Sequence, residues 1–535
     1  MIQYTPTSQL TIEGFEHPFD MELDKNNRWI KLALIMPWDN LASVYAKSLE
    51  SDKGRLTVDI RMVIGAIVIK HKLKLSDRET VAMISENLYL QYFCGLKSFQ
   101  AEAPFDPSLF VDIRKRMGAD KFDQFNDLVI ARIEELKPEK KRILISADPE
   151  KEDKKNDPPA SEHNNPKEQS ETPTQEPTLN KGTLKIDATV ADQQILYPTD
   201  LGLLNRSREE SERIIDILCK KTEQKKKPRT YRRNARAKYL GIAKQKKKNK
   251  KVIRKAIGQQ LRFLKRNLKT IEKLLDLFND KKFPLKHRDQ RIFWVIQHIY
   301  AQQQFMFENK IHQHDNRIVN IYQPYVRPIV RGKEKAKVEF GAKINISEYN
   351  GMSKIDTISW DAYNESTDLP KQVERYKITF GCYPELVLGD TIYLNRDNRS
   401  YLKSKGIRIV GKALGRPKKE KLNPYQKQKQ RKERNQRNLV EGKIGQGKNG
   451  YALNNIKARR KDTSESWISS IFFVMNLITL MKEADKAFLC LFKCLIKVKS
   501  YLNKWNKRVF EGLLIFESSL RKIHNNSCPK IPHAI

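Results

Sequence analysis

Residues 182–193, GTLKIDATVADQ, decide how the second half of the chain is read. Leu184, Ile186 and Ala188 alternate with Lys185, Asp187 and Thr189, the period-two pattern of a strand with two unlike faces. An unpaired carboxylate is costly to bury, so Asp187 is expected to have either a partner or a chemical task. The rest of the chain decides which.

The 535 residues include 103 Lys and Arg against 64 Asp and Glu, a formal net charge of +39. Such an excess self-repels unless a polyanion is the usual partner, which puts nucleic acid first and an anionic membrane surface second. No membrane partner is expected. The most apolar run, WISSIFFVMNLITLM (467–481), falls short of the roughly 20 residues that span a bilayer, and it carries Asn476. The opening MIQYTPTSQLTIEGFEH lacks the charged and then apolar order of an export signal. Six cysteines form no CxxC pair, and Cys490 and Cys494 read as helix packing, so a reduced, cytoplasmic protein is expected.

Upstream, residues 1–137 read as an all-helical domain. DIRMVIGAIVIKHKL (59–73) has helical spacing, and Ser76 with Glu79 forms a capping box for the helix that follows. Two helices across a tight turn could place the second in a DNA groove, but the pattern favours an ordinary helical hairpin. Asp106–Pro107 opens another helix, SLFVDIRKRMG. Residues 138–181 hold seven prolines and no Phe, Tyr or Trp, and read as a disordered linker.

Downstream of the opening strand lies a helical insert, roughly 201–320. From Lys220 to Lys255, 18 of 36 residues are Lys or Arg and only Glu223 is acidic. This run is too one-sided for a solvated face, and phosphate contact is expected at Lys225, Lys226, Lys227, Arg232, Arg233, Lys246, Lys247 and Lys248. LRFLKRNLKTIEKLLDLF (261–278) and RIFWVIQHIYAQQQFMF (291–307) read as two amphipathic helices. His287, His298, His312 and His314 lack carboxylates at ligand spacing and are expected at the surface or in packing.

Period two returns in KVEFGAKINIS (337–347) and SKIDTISWDA (353–362), a hairpin around EYNGM. A helix (about 366–380), a strand ending at Asp390 (384–394), a helix (396–404), the strand GIRIVGKA (406–413) and a helix with Glu441 follow. This is the order of a ribonuclease-H-like core, mixing α+β and α/β character, with the insert after its first strand. The first and fourth strands of such a sheet are neighbours, so Asp187, Asp390 and Glu441 are expected to meet at one edge. Carboxylate oxygens suit Mg²⁺ or Mn²⁺, and two ions about 3.5–4 Å apart would serve phosphoryl transfer. Asp361, Glu365 and Asp200 read instead as helix caps.

HPFDMELDKNNRWIKLALIMPWDNLASVYAKSL, FDPSLFVDIRKRMG, LKIDATVADQQILYPTDLGLLNRSREESERIID and YPELVLGDTIYLNRDNRSYLKSKGIRIVGKALGRP together resemble a bacterial insertion-sequence DDE transposase with an InsH-type N-terminal domain. The resemblance maps the catalytic triad onto KIDATV (Asp187), LGDTIY (Asp390) and NLVEGKIG (Glu441). Of the related Tyr-x2-Arg-x3-Glu-x6-Lys signature, Arg437 and Lys448 fill the Arg and Lys positions as phosphate holders, while Arg434 stands where the tyrosine is expected. It implies metal-dependent nicking at element ends, transfer of the 3′-hydroxyl strand into target DNA, a homodimer on DNA and a place at the bacterial nucleoid. The domains expected are 1–137, the linker, a catalytic domain 182–480 and a helical tail 481–535. An inactive DNA-binding copy and a plain nuclease of the same core are the alternatives.

Overall fold

In this computed structural model, residues 3–6, 22–49, 56–136, 180–222, 226–278, 283–330, 338–410 and 423–490 are described. The expected linker therefore lies almost wholly outside the described residues, as do Lys225, Cys494 and most of the expected helical tail. The chain divides into two compact units, Met1–Leu128 with Ser170–Leu477, and Val129–Gln169 with Ile478–Ile535. In the second, the described residues are the C-terminal ends of two helices, Leu109–Leu136 and Lys461–Cys490.

The N-terminal helices start where side chains satisfy their first N–H groups. The Asp59 carboxylate accepts from Arg61 and Met62 N–H to open Ile60–Leu73. That helix is buried from Ile60 through His71 and stops at Lys74, whose φ of 58° cannot continue it. The Ser76–Glu79 box is present and opens Asp77–Glu86. The next segment is cut short: Asn87 leaves the helix and caps a separate turn, Leu88–Phe93. Asp77–Glu86 buries Thr80, Val81 and Ile84 and exposes Arg78, Glu79 and Glu86.

Six strands form one sheet: β1 (Thr183–Asp192), β2 (Arg327–Val330), β3 (Val338–Tyr349), β4 (Met352–Ser359), β5 (Leu386–Leu388) and β6 (Arg408–Ile409). The order is β2-β3-β1-β5-β6, with β4 also pairing β3. β1 runs antiparallel to β3 and parallel to β5. The β3–β4 hairpin turns through Asn350 and Gly351, both at positive φ. Gly341 is required where β2, β3 and β1 converge, because a Cβ there would fall 1.9 Å from the Ala191 carbonyl oxygen. β2 was not expected from the sequence.

β1 departs from its expected two-faced character in one respect. Being central, it is covered on both sides, and Lys185 is buried with Glu348 directly across on β3, Nζ to Oε2 at 2.7 Å. The insert has its own apolar core. Leu204, Ile214, Ile215 and Leu218 from Asp200–Lys221 meet Leu264 and Ile271 from Lys250–Leu275 and Ile296 and Ile299 from His287–Glu308. A shorter helix, Arg232–Ala243, buries only Ala235.

By length and composition Lys461–Cys490 could cross a membrane. Within the first unit, however, Ile468, Ile471, Phe472, Phe473, Val474 and Leu477 are fully buried. Phe473 packs on Phe122 and Phe125, and the Asn476 amide bonds the Ser353 backbone and the Asn126 side chain. Asn476 is thereby satisfied inside the fold, as a polar residue on a core helix requires.

Candidate active site

Three segments converge on the C-terminal end of β5. β5 pairs with β1 as Leu386↔Thr183, Val387↔Leu184 and Leu388↔Lys185. β5 ends there, and Asp390, two residues on, opens the 3-10 turn Thr391–Tyr393, while Asp187 lies two residues beyond Lys185 on β1. Gly389 permits the approach: a Cβ at that position would lie 3.0 Å from Ile186 Cγ1 and 3.1 Å from Tyr393 Cδ2. The third segment, the helix Asn438–Gly450, packs against β1 and carries Glu441 in its first turn.

Arg437 sits between two of the three carboxylates. Its guanidinium lies 2.8 Å from Glu441 Oε1 and 3.5 Å from Asp390 Oδ1. Asp390 also accepts the Thr391 N–H at 2.7 Å, opening the short 3-10 turn Thr391–Tyr393, and Asp187 accepts the Ala188 N–H at 2.8 Å. As the side chains stand, no group of three or more His, Cys, Asp or Glu among the described residues is close enough to share an ion. The donor set still suits a hard cation. All three groups are carboxylates, and a positive charge already bridges Asp390 and Glu441.

Tyr393 lies below this cluster, buried, with its hydroxyl donating to Asn345 Oδ1 at 3.0 Å. Burial first, and then the negative charges of Glu365 and Asp187, push its pKa far above the ordinary tyrosine value. Its hydroxyl stays neutral and is held by the Asn345 side chain. The sequence reading missed Tyr393 and Asn345, although the three-residue step from Asp390 to Tyr393 was a visible signal.

The other expected phosphate holders divide by partner. Lys448 Nζ stands 3.7 Å from Glu339 Oε1 on β3. Lys227 and Arg232 both pair with Asp216, Arg232 through two bonds of 3.1 and 2.8 Å. Arg233, Arg434, Lys246, Lys247 and Lys248 are exposed. Neither Glu339 nor Asp216 was singled out from sequence.

The acids read as caps are corrected. Asn364, not Asp361 or Glu365, caps the turn Glu365–Asp368. Asp361 pairs with Arg327 at 3.5 Å and Glu365 with Lys343. Thr199 caps the helix after β1, while Asp200 bonds Arg317 and Gln303.

Residues 17–116 match the family described as Transposase domain (DUF772), and residues 387–478 match Transposase DDE domain. Two segments of the chain are similar to transposase domains. The resemblance read from the sequence is thus met in both halves. The DDE match begins within β5 and spans Asp390, Arg437, Glu441 and Lys448, while Asp187 lies outside it. A Rhizobium meliloti protein described as "Uncharacterized protein ORF8 in nfe locus" is 34% identical over 104 residues, 19% of this chain and 50% of its own length. The chain thus spans about half of that relative. No solved structure matches.

Proposed function

We propose that this protein is an insertion-sequence DNA transposase of the DDE class, built on a ribonuclease-H-like core. The observation that supports the reading is at the end of β5: Asp390 and Glu441 share one guanidinium, and β5 pairs with β1, the strand that carries Asp187. The strand order around β1 supports the core, with residues 182–480 as the catalytic domain and 1–137 as a helical domain for DNA contact.

Asp187, Asp390 and Glu441 would hold two Mg²⁺ or Mn²⁺ ions. When bound, these ions supply polarisation of phosphate oxygens and acidify the attacking hydroxyl. Water would attack phosphorus at an element end, breaking the P–O3′ bond to leave a 3′-hydroxyl and a 5′-phosphate. That 3′-hydroxyl would then attack a target phosphodiester and displace the target's 3′-oxygen. Arg437 and Lys448 would orient phosphates at the site, and exposed insert cations such as Lys246–Lys248 would track the backbone. Joining two ends in one event calls for two protomers on the DNA, acting at the nucleoid.

The test is the full-length protein with Mg²⁺ and a linear DNA bearing the ends of its own element, resolved on denaturing gels. Nicks with free 3′-hydroxyls and joined products are expected. Nicking without joining would make the protein a nuclease, and binding with neither would make it a DNA-binding protein alone. Unchanged cleavage by Asp390→Ala would overturn the site.

A further inference from the structure

Arg437 occupies an unusual position for a phosphate-binding residue, because its guanidinium faces the carboxylates. It joins the helices Pro424–Gln436 and Asn438–Gly450, with helical φ and ψ of −59° and −30°. The i,i+4 spacing to Glu441 aims its side chain along the second helix, and from there it reaches Asp390. An arginine keeps its charge at any ordinary pH, so this site cannot be cleared by loss of a proton. It can be cleared only by movement of the side chain.

We infer that Arg437 is a placeholder cation, which divalent ions displace from Asp390 and Glu441 and which then becomes available to a DNA phosphate. This rests on the proposed function, in which those carboxylates bind the ions. Three observations support it. The guanidinium competes for the same oxygens an ion needs. The side chains of Arg437, Asp390 and Glu441 are 30%, 55% and 47% exposed, so the pairs are solvent-screened and weak enough to exchange. A freed guanidinium presents a fork of N–H donors that matches phosphate geometry. Arg437 is thus a positioning residue, and ion loading is coupled to phosphate binding. Such coupling is reciprocal: DNA must raise ion affinity by the factor by which ions raise DNA affinity.

The test uses the full chain and Mn²⁺, with free Mn²⁺ read by electron paramagnetic resonance. Without DNA, Arg437→Gln is expected to bind Mn²⁺ roughly three- to tenfold more tightly than the wild type, since two screened ion pairs no longer compete. Arg437→Lys keeps the charge and is expected to stay near the wild type. A short duplex should tighten Mn²⁺ binding by the wild type and have little effect on Arg437→Gln. Equal or weaker Mn²⁺ binding by Arg437→Gln would overturn the placeholder role. Asp390→Ala separates the two readings. If it lowers Mn²⁺ binding while Arg437→Gln changes nothing, only the placeholder fails. If it binds Mn²⁺ like the wild type, the ion site of the proposed function fails as well.

Discussion

Two charge clusters in this protein use the same side-chain chemistry and are built for opposite ends. In the N-terminal helices, Asp77 is held by Lys70 at 2.7 Å and by both terminal nitrogens of Arg114 at 3.0 and 2.8 Å. Both cations also lie over the Trp467 ring, at 4.3 and 5.1 Å. At β5 the ratio is inverted, with one guanidinium between two carboxylates. The Lys70 side chain is 2% exposed, whereas that of Asp390 is 55% exposed. Burial, then the opposing pull of Asp77, leaves Lys70 at about 8. A mostly buried cluster with excess positive charge ties helices together. The open one carries the excess of negative charge.

The contrast breaks most visibly through substitution of one aspartate in each cluster. Asp390→Ala should reduce strand cleavage by roughly a thousandfold or more, the loss of several kcal/mol of transition-state stabilisation. Its melting temperature should stay within about 2 °C of the wild type, because an exposed, screened pair contributes little to stability. Asp77→Ala should do the reverse. Leaving Lys70 and Arg114 without their anion in a buried setting costs about 3–5 kcal/mol, read as an earlier denaturation midpoint. A stable Asp77→Ala protein, or an unstable Asp390→Ala protein, would remove the distinction.

Asp356 sharpens the comparison as a buried carboxylate whose ion pair, with Arg375, is long. Its Oδ2 accepts from Ser347 Oγ at 2.6 Å and Gln372 Nε2 at 2.9 Å, while the nearest Arg375 nitrogen is 3.7 Å from Oδ1. Burial pushes its pKa up to about 6, against those two hydrogen bonds, which lower it. The folded state therefore binds the extra proton more tightly than the unfolded chain. That contribution is complete below about pH 3.8 and is lost as pH rises through about 6. Asp356→Asn should accordingly stabilise the protein by about 2 kcal/mol near pH 7.5, and should give no gain near pH 4. Denaturation midpoints at the two pH values decide it. A gain of equal size at both would mean that burial of the charge is not the cause.

How far the sequence carried the reading depends on the range of the interaction. The capping box at Ser76 and Glu79 and the Asn350–Gly351 turn are local, and both were visible. The neighbouring placement of β1 and β5 followed from strand order, since a parallel crossover leaves few alternatives. Pairings across elements were not visible. Glu339 with Lys448 and Asp216 with Arg232 depend on how helices pack, which spacing alone does not encode. Arg437 lies between these cases. Its i,i+4 relation to Glu441 was readable, but its reach to Asp390 was not. The caps assigned to Asp200 and Asp361 failed because a neighbouring Thr or Asn was better placed for the same N–H groups.

The smallest expected effect separates the insert's own cations into the same two kinds. Lys227 and Arg232 clasp Asp216, whereas Lys246, Lys247 and Lys248 are exposed and make no ion pair among the described residues. A lysine that contacts a phosphate releases a counterion and adds about 0.9 to the slope of log affinity against log salt. Lys247→Gln should therefore flatten that slope by about 0.9 for a nonspecific duplex, with no change in the denaturation midpoint. Lys227→Gln should leave the slope alone, since its charge is already spent on Asp216. Fluorescence anisotropy across a salt series measures both. Equal slopes for the two variants would mean that intramolecular pairing does not decide which insert cations meet DNA.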